Sequence, residues 1–390
     1  MALVKKVRKL GARGGFSAAQ RDTSGLRPLQ VPGSAPCGQA CPNGTDVRGV
    51  LTSVARAAKA GRPLDEALDE AFWLLAERNP IPAISALVCP HHCEEHCHRA
   101  GYDEPLSINQ VEQYLSQRAL ERALSLQRPA HARACERIAV AGAGAAGLSA
   151  AYQLVRQGHQ VTVFDAGKTA AHALLDGLPG HVVPRELVEA EVERLLAFGL
   201  EFRTDAGVGK AVWTPPGDEG FARLVRTRVA APGQILDPAG IVPAVCFGRH
   251  LAEAVGAELS GRPARRPAKE PVVARDRVKP DHFPHRARLR AVQAPAAAPE
   301  SASETAGRRT VPGDDTRGAP AITVEEILAE AERCFSCGAC NACDNCYKYC
   351  PEQAVVRPLD SGQPYRFTLE FCNGCGTCVD QCPAGYIEMR

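Results

Sequence analysis

The sequence predicts a multidomain α/β protein on three observations. Apolar residues recur at helical spacing between Asp46 and Leu124, a strand–turn–helix–strand unit follows between Arg137 and Asp165, and a duplicated cysteine run fills the chain after residue 339. With 390 residues and 45% apolar content, the chain can build two or three separate cores. Lys and Arg number 46 against 44 Asp and Glu, a formal charge of +2, so there is no electrostatic case for a nucleic-acid surface. The basic start, Met1 to Gly15, lacks the apolar core of about 7–15 residues typical of a secretory signal, and no later stretch approaches about 18 uninterrupted apolar residues. A cytoplasmic protein without membrane association is expected.

Taken in order, residues 1–34 are rich in Gly, Arg and Ser without period and read as a flexible arm. Residues 35–130 read as an all-helical domain. Val47, Val50, Leu51 and Val54 share one helix face; Leu64, Leu68, Phe72 and Leu75 share another, closed by Asn79-Pro80; and Ser107 is placed to cap a third helix from Ile108 to Leu124. In residues 135–260, Arg137–Ala141 reads as a strand, Ala145–Gln157 as a helix stopped by Gly158, and Gln160–Phe164 as a second strand. A helix over Pro184–Phe198 and a strand over Leu200–Arg203 follow, and the pattern weakens beyond Gly209. Residues 261–320, dominated by Pro, Ala, Arg and Ser, read as a disordered linker. A short helix over Thr323–Glu332 opens the last segment, residues 321–390.

Seventeen cysteines, spaced at two- and three-residue intervals beside prolines, favour metal sites over disulfides. Cys340, Cys343, Cys346 and Cys350 precede Pro351, and Cys372, Cys375, Cys378 and Cys382 precede Pro383, which writes the C-x2-C-x2-C-x3-C-P spacing twice. Three thiolates at three-residue intervals wrap one corner of a 4Fe–4S cube, and the fourth ligand comes from the other run. This predicts an α+β two-cluster ferredoxin fold, with one cluster on Cys340, Cys343, Cys346 and Cys382 and a second on Cys372, Cys375, Cys378 and Cys350. Paired structural zinc sites are the bland alternative. Cys334 and Cys337 extend the ladder upstream without a necessary role in this scheme.

Five further cysteines, Cys37, Cys41, Cys89, Cys93 and Cys97, lie in the helical region among His91, His92, His96 and His98, and spacing alone leaves a mixed Cys/His zinc site open. The stretches APCGQACPNGTDVRGVL, CPHHCEEHCHR and DEPLSINQVEQYL resemble the small-subunit-like flavoproteins of glutamate synthase, whose helical N-terminal domain is shared with dihydropyrimidine dehydrogenase. ERCFSCGACNACDNCYKYCP and FCNGCGTCVDQCP resemble members with an appended ferredoxin module. The resemblance implies an N-terminal iron–sulfur domain. Some members carry a further C-x2-C just before the segment matching Cys37, which this chain lacks. One N-terminal 4Fe–4S cluster is therefore expected, on Cys41, Cys89 and Cys93 with a fourth ligand from Cys37, Cys97 or Glu112, the last because a matching acidic or amide side chain is a ligand in some relatives.

Gly142, Gly144 and Gly147 form a G-x-G-x-x-G turn after a strand, and Asp165 ends the next strand, as in dinucleotide-binding units. The glycines would let the helix N-terminus approach a pyrophosphate, and Asp165 would accept from a ribose hydroxyl. Resemblance implies FAD here, in a truncated Rossmann-like domain. The family's Gly-Gly pair after the second strand falls on Ala171 and His172, its late Gly-Asp pair falls on Ala239 and Gly240, and no second G-x-G-x-x-G follows for NAD(P)H. The expected function is an oxidoreductase subunit that transfers electrons through its clusters to or from a catalytic redox partner, in a hetero-oligomer. A self-sufficient FAD-dependent NAD(P)H:acceptor oxidoreductase and a metal-stabilised scaffold are the rival readings.

Overall fold

The computed structural model describes residues 23–130, 136–206, 220–227, 240–261, 270–289, 322–358 and 365–390. The first part of the arm, Cys135, Gly207–Gly209, Trp213, Ala239 and most of the linker lie outside them. Two compact units emerge: a smaller one from residues 1–31, 342–382 and 386–390, and a larger one from residues 32–341 and 383–385.

The described chain begins with β1 (Pro28–Gln30), a strand of the smaller unit. The larger unit then opens with six helices: α1 (Pro36–Ala40), α2 (Val47–Ala55), α3 (Leu64–Ala76), α4 (Pro82–Val88), α5 (His92–Glu95) and α6 (Ile108–Glu121). The Asp46 side chain caps α2 by accepting from the Gly49 N–H at 3.0 Å, and α2 buries Val47, Val50, Leu51 and Val54 as the spacing predicts. Ser107 does not cap α6: its hydroxyl donates to the Leu289 carbonyl at 2.8 Å and accepts from Arg288 at 2.7 Å. A long-range partner has taken the group that local chemistry would use.

A four-stranded parallel sheet follows, in the order β4-β3-β2-β5, from β2 (Arg137–Ala141), β3 (Gln160–Phe164), β4 (Glu201–Arg203) and β5 (Arg223–Arg226). Helix α7 (Ala145–Gln157) connects β2 to β3; α8 (His172–Gly177) and α9 (Arg185–Phe198) lead to β4. The weak pattern after Gly209 hides β5 and a 20-residue helix, α10 (Ile241–Ser260), which packs on α7. A Cβ at Gly248 would stand 2.0 Å from the Ala146 carbonyl oxygen, so the absence of a side chain sets how closely these helices approach. Phe72, Ile81 and Ile84 from the helical part share one core with Ile138, Leu148, Leu154 and Val245.

Two boundaries differ from the composition-based reading. Residues 270–289, within the expected linker, are docked: Val273 and Val278 are buried, Ser34 bridges to Val272, and the Tyr102 hydroxyl donates to the Phe283 carbonyl at 2.7 Å. Helix α11 (Val324–Glu332), expected with the C-terminal module, instead buries Ile327 and Ala331 in the core of α2, α3 and α6. Its Thr323 N-cap forms a full capping box with Glu326. Low average hydrophobicity hid the docking of residues 270–289, and the local pattern of α11 does not name its packing partner, because a few well-placed apolar residues suffice to dock a segment on an existing core.

The smaller unit contains α12 (Asn345–Lys348), β6 (Val355–Val356), β7 (Arg366–Phe367), α13 (Thr377–Asp380) and β8 (Ile387–Met389). Strands β6 and β7 pair antiparallel, and β8 pairs antiparallel with β1, so residues 28–30 of the expected flexible arm are held in a sheet. That pairing joins residues more than 350 positions apart, which arm composition cannot reveal.

Candidate iron–sulfur and nucleotide sites

In the smaller unit, Cys350 from the first run stands with Cys372, Cys375 and Cys378 from the second. All four line one pocket, together with Pro28, Val355 and Phe367. Burial raises the Cys378 thiol to about 11, and the neighbouring Cys372, Cys350 and Cys375 add to the shift. Around this group the backbone turns on residues with positive φ, Gly374 (73°) and Gly376 (78°), flanking Cys375. The Ala354 N–H donates to the Cys350 sulfur at 3.3 Å and the Tyr386 N–H to the Cys382 sulfur at 3.4 Å. Cys343, Cys346 and Cys382 also fall in this unit, whereas Cys340 falls in the larger one.

The helical domain sorts its cysteines into two groups. Cys41, Cys89 and Cys93 form the first, with Glu112 and Glu94 close enough to act on them electrostatically. Burial pushes the Cys89 thiol up to about 11 and the Cys93 thiol higher still, with Glu112 the largest charged contributor at Cys93. Burial, with the charge of Glu94 added, also lifts the Glu112 carboxyl to about 7. Glu94 is already committed, accepting from the Asn109 N–H at 2.8 Å and from Arg288. The second group is Cys37 and Cys97 with Cys334 and Cys337. Burial raises Cys37 well above its ordinary value, and Cys334, Cys97 and Cys337 reinforce the effect.

Of His91, His92, His96 and His98, the last approaches a thiol, its Nδ1 lying 3.7 Å from the Cys337 sulfur. His92 pairs with Glu95, and His96 contacts the His92 carbonyl. Among the described residues no group of three or more His, Cys, Asp or Glu is arranged to hold a single metal ion. No disulfide joins any of the described cysteines.

The βα turn between β2 and α7 is closely packed on its inner side. A Cβ at Gly147 would lie 1.8 Å from the Gly142 carbonyl oxygen, whereas one at Gly144 would meet nothing within 4 Å, so the turn is tight inside and open at its mouth. Asp165 is buried, and its carboxylate accepts from the Ala143 N–H at 2.8 Å and the Gly167 N–H at 2.9 Å. It pins the loop at the ends of β2 and β3. His172 lies against Gly167 and pairs with Asp176 at 3.2 Å.

These features can be set beside known proteins. Residues 13–124 match the family described as dihydropyrimidine dehydrogenase domain II, 4Fe–4S cluster; residues 137–174 match FAD dependent oxidoreductases; and residues 339–387 match the 4Fe–4S dicluster domain. The three matches fall on the helical domain, the βαβ unit and the C-terminal cysteine runs. The chain is 28% identical over 269 residues to the NADP(+)-dependent formate dehydrogenase subunit beta of Moorella thermoacetica, covering 61% of this chain and 36% of that one. It is 28% identical over 180 residues to the NAD-dependent dihydropyrimidine dehydrogenase subunit PreT of Escherichia coli, covering 46% of this chain and 41% of that one. A glutamate synthase [NADH] from Schizosaccharomyces pombe is 33% identical over 141 residues, 36% of this chain and 7% of the relative. The chain thus spans less than half the length of each. Iron–sulfur domains are thus matched at residues 13–124 and 339–387, and no helix among the described residues is long and apolar enough to cross a membrane.

Proposed function

We propose that this chain is an electron-transfer subunit that relays single electrons through 4Fe–4S clusters to or from a catalytic oxidoreductase partner, in a hetero-oligomer. The observation that carries the reading is the gathering of Cys350 with Cys372, Cys375 and Cys378, the exchange of a fourth ligand that two-cluster spacing requires. When bound, each cluster supplies a site that takes up and releases one electron. The protein's part is to hold the thiolates, exclude water and set the potential. The N–H donors of Ala354 and Tyr386 stabilise negative charge on sulfur, which favours the reduced state.

In the helical domain the same reading assigns one site to Cys41, Cys89 and Cys93, with Glu112 as the fourth ligand. Support comes from the company each group keeps: Glu112 lies within electrostatic reach of Cys93, whereas Cys37 and Cys97 belong to the other thiol group. The tight turn at Gly142–Gly147 supports FAD as the ligand of a Rossmann-like βαβ unit, and Asp165 contributes by fixing that turn.

Anaerobic purification with iron, acid-labile sulfide and flavin quantitation tests the proposal. Reducible cubane signals in electron paramagnetic resonance are expected after dithionite treatment, without bleaching by NAD(P)H alone. Absence of cubane signals would remove the relay reading, and NAD(P)H-dependent bleaching would favour the self-sufficient enzyme.

A further inference from the structure

We infer that Cys334 and Cys337, reaching back from beyond the linker, join Cys37 and Cys97 to form a second iron–sulfur site in the helical domain, additional to the one on Cys41, Cys89 and Cys93. The inference rests on the proposed relay reading and makes the helical domain depend on the downstream half of the chain.

Three independent observations carry it. First, the four residues share their surroundings: Cys37, Cys97 and Cys334 pack on the core of α2, α3, α6 and α11, while Cys337 and Cys37 meet in the small cluster with Val273 and Phe335. Second, the segment is anchored there by cations. Arg48 donates to the carbonyls of Gly33 at 2.8 Å and Cys337 at 2.6 Å, Arg56 donates to the Ser336 hydroxyl at 3.3 Å, and Arg99 donates to the Arg333 carbonyl at 2.5 Å.

Third, the turn itself is of a cluster-binding kind. In each of three C-x2-C turns, the residues just before and just after the second cysteine have positive φ: Ser336 (53°) and Gly338 (69°) around Cys337, Ala342 (53°) and Asp344 (67°) around Cys343, Gly374 (73°) and Gly376 (78°) around Cys375. A left-handed Ser is strained and persists where its surroundings demand it. Here the strain lets the Ser336 N–H donate to the Cys334 sulfur at 3.4 Å. A cubane binds its four thiolates through different irons and so holds them farther apart than one tetrahedral ion does, which accords with thiols that influence one another without forming a single-ion site. Cys334 and Cys337 thus supply the C-x2-C that is missing before Cys37.

The test uses the full chain, purified anaerobically. The Cys334→Ser/Cys337→Ser variant should lose about four iron and four sulfide per chain, and so should Cys37→Ser/Cys97→Ser. Combining both pairs should lose about four, not eight, because the pairs serve one cluster. Unchanged iron in Cys334→Ser/Cys337→Ser, or additive loss in the combined variant, would overturn the inference. Loss of zinc without sulfide would overturn it as well. The Cys372→Ser/Cys375→Ser variant separates the two levels: if it loses iron normally while Cys334→Ser/Cys337→Ser does not, the second helical-domain site fails and the relay stands.

Discussion

The two cysteine-rich regions solve one chemical problem in opposite ways. In the smaller unit, the proposed ligands come from a duplicated run fewer than fifty residues long, and their grouping follows almost entirely from local spacing. In the helical domain, the thiols come from residues 37–97 and, as inferred, from residues 334–337, and they meet because helices, a docked strap and α11 place them together. The difference teaches that thiols can be gathered either by covalent spacing or by tertiary packing.

The contrast can be broken most directly at Cys372 and Cys375. Their replacement by Ser should cost about four irons per chain from the smaller unit and leave signals of the helical domain intact, as read by iron analysis and paramagnetic resonance. Next in size is Glu330→Ala. Glu330 is buried, pairs with Arg333 at 2.7 Å and accepts from the Ser107 N–H at 2.7 Å, so its removal leaves a buried guanidinium short of a partner. Unfolding in urea should show a loss of about 3–5 kcal/mol, and iron should leave the helical domain before the C-terminal unit. Ile327→Ala, which empties the fully buried position of α11, should cost about 2–4 kcal/mol with the same order of iron release. The smallest effect is expected for Thr323→Ala, which breaks the α11 capping box and should cost about 1 kcal/mol, with cluster content unchanged. Equal iron release from both ends in the Glu330 and Ile327 variants would deny that α11 serves the helical domain in particular.

Much of this architecture was legible beforehand. The helical faces of α2 and α3, the βαβ unit and the existence of α11 follow from apolar periodicity and end signals, which act within a few residues. The missed parts share a physical cause. The β1–β8 pairing, the strap at 270–289 and α10 gain their stability from partners distant in sequence, and Ser107 gave up its capping role to Leu289 and Arg288.

The sequence by itself determined the chemistry: which thiols are spaced to wrap a cubane, where a phosphate-binding turn can form, and which helices have an apolar face, because each is set by covalent spacing over a handful of residues. Only the tertiary structure decided the partnerships. Grouping Cys37 and Cys97 with Cys334 and Cys337 depends on packing that buries Ile327 and Ala331 and ties Arg48, Arg56 and Arg99 to a segment more than 230 residues away. Burial and long-range hydrogen bonding choose among thiols that spacing alone leaves equivalent.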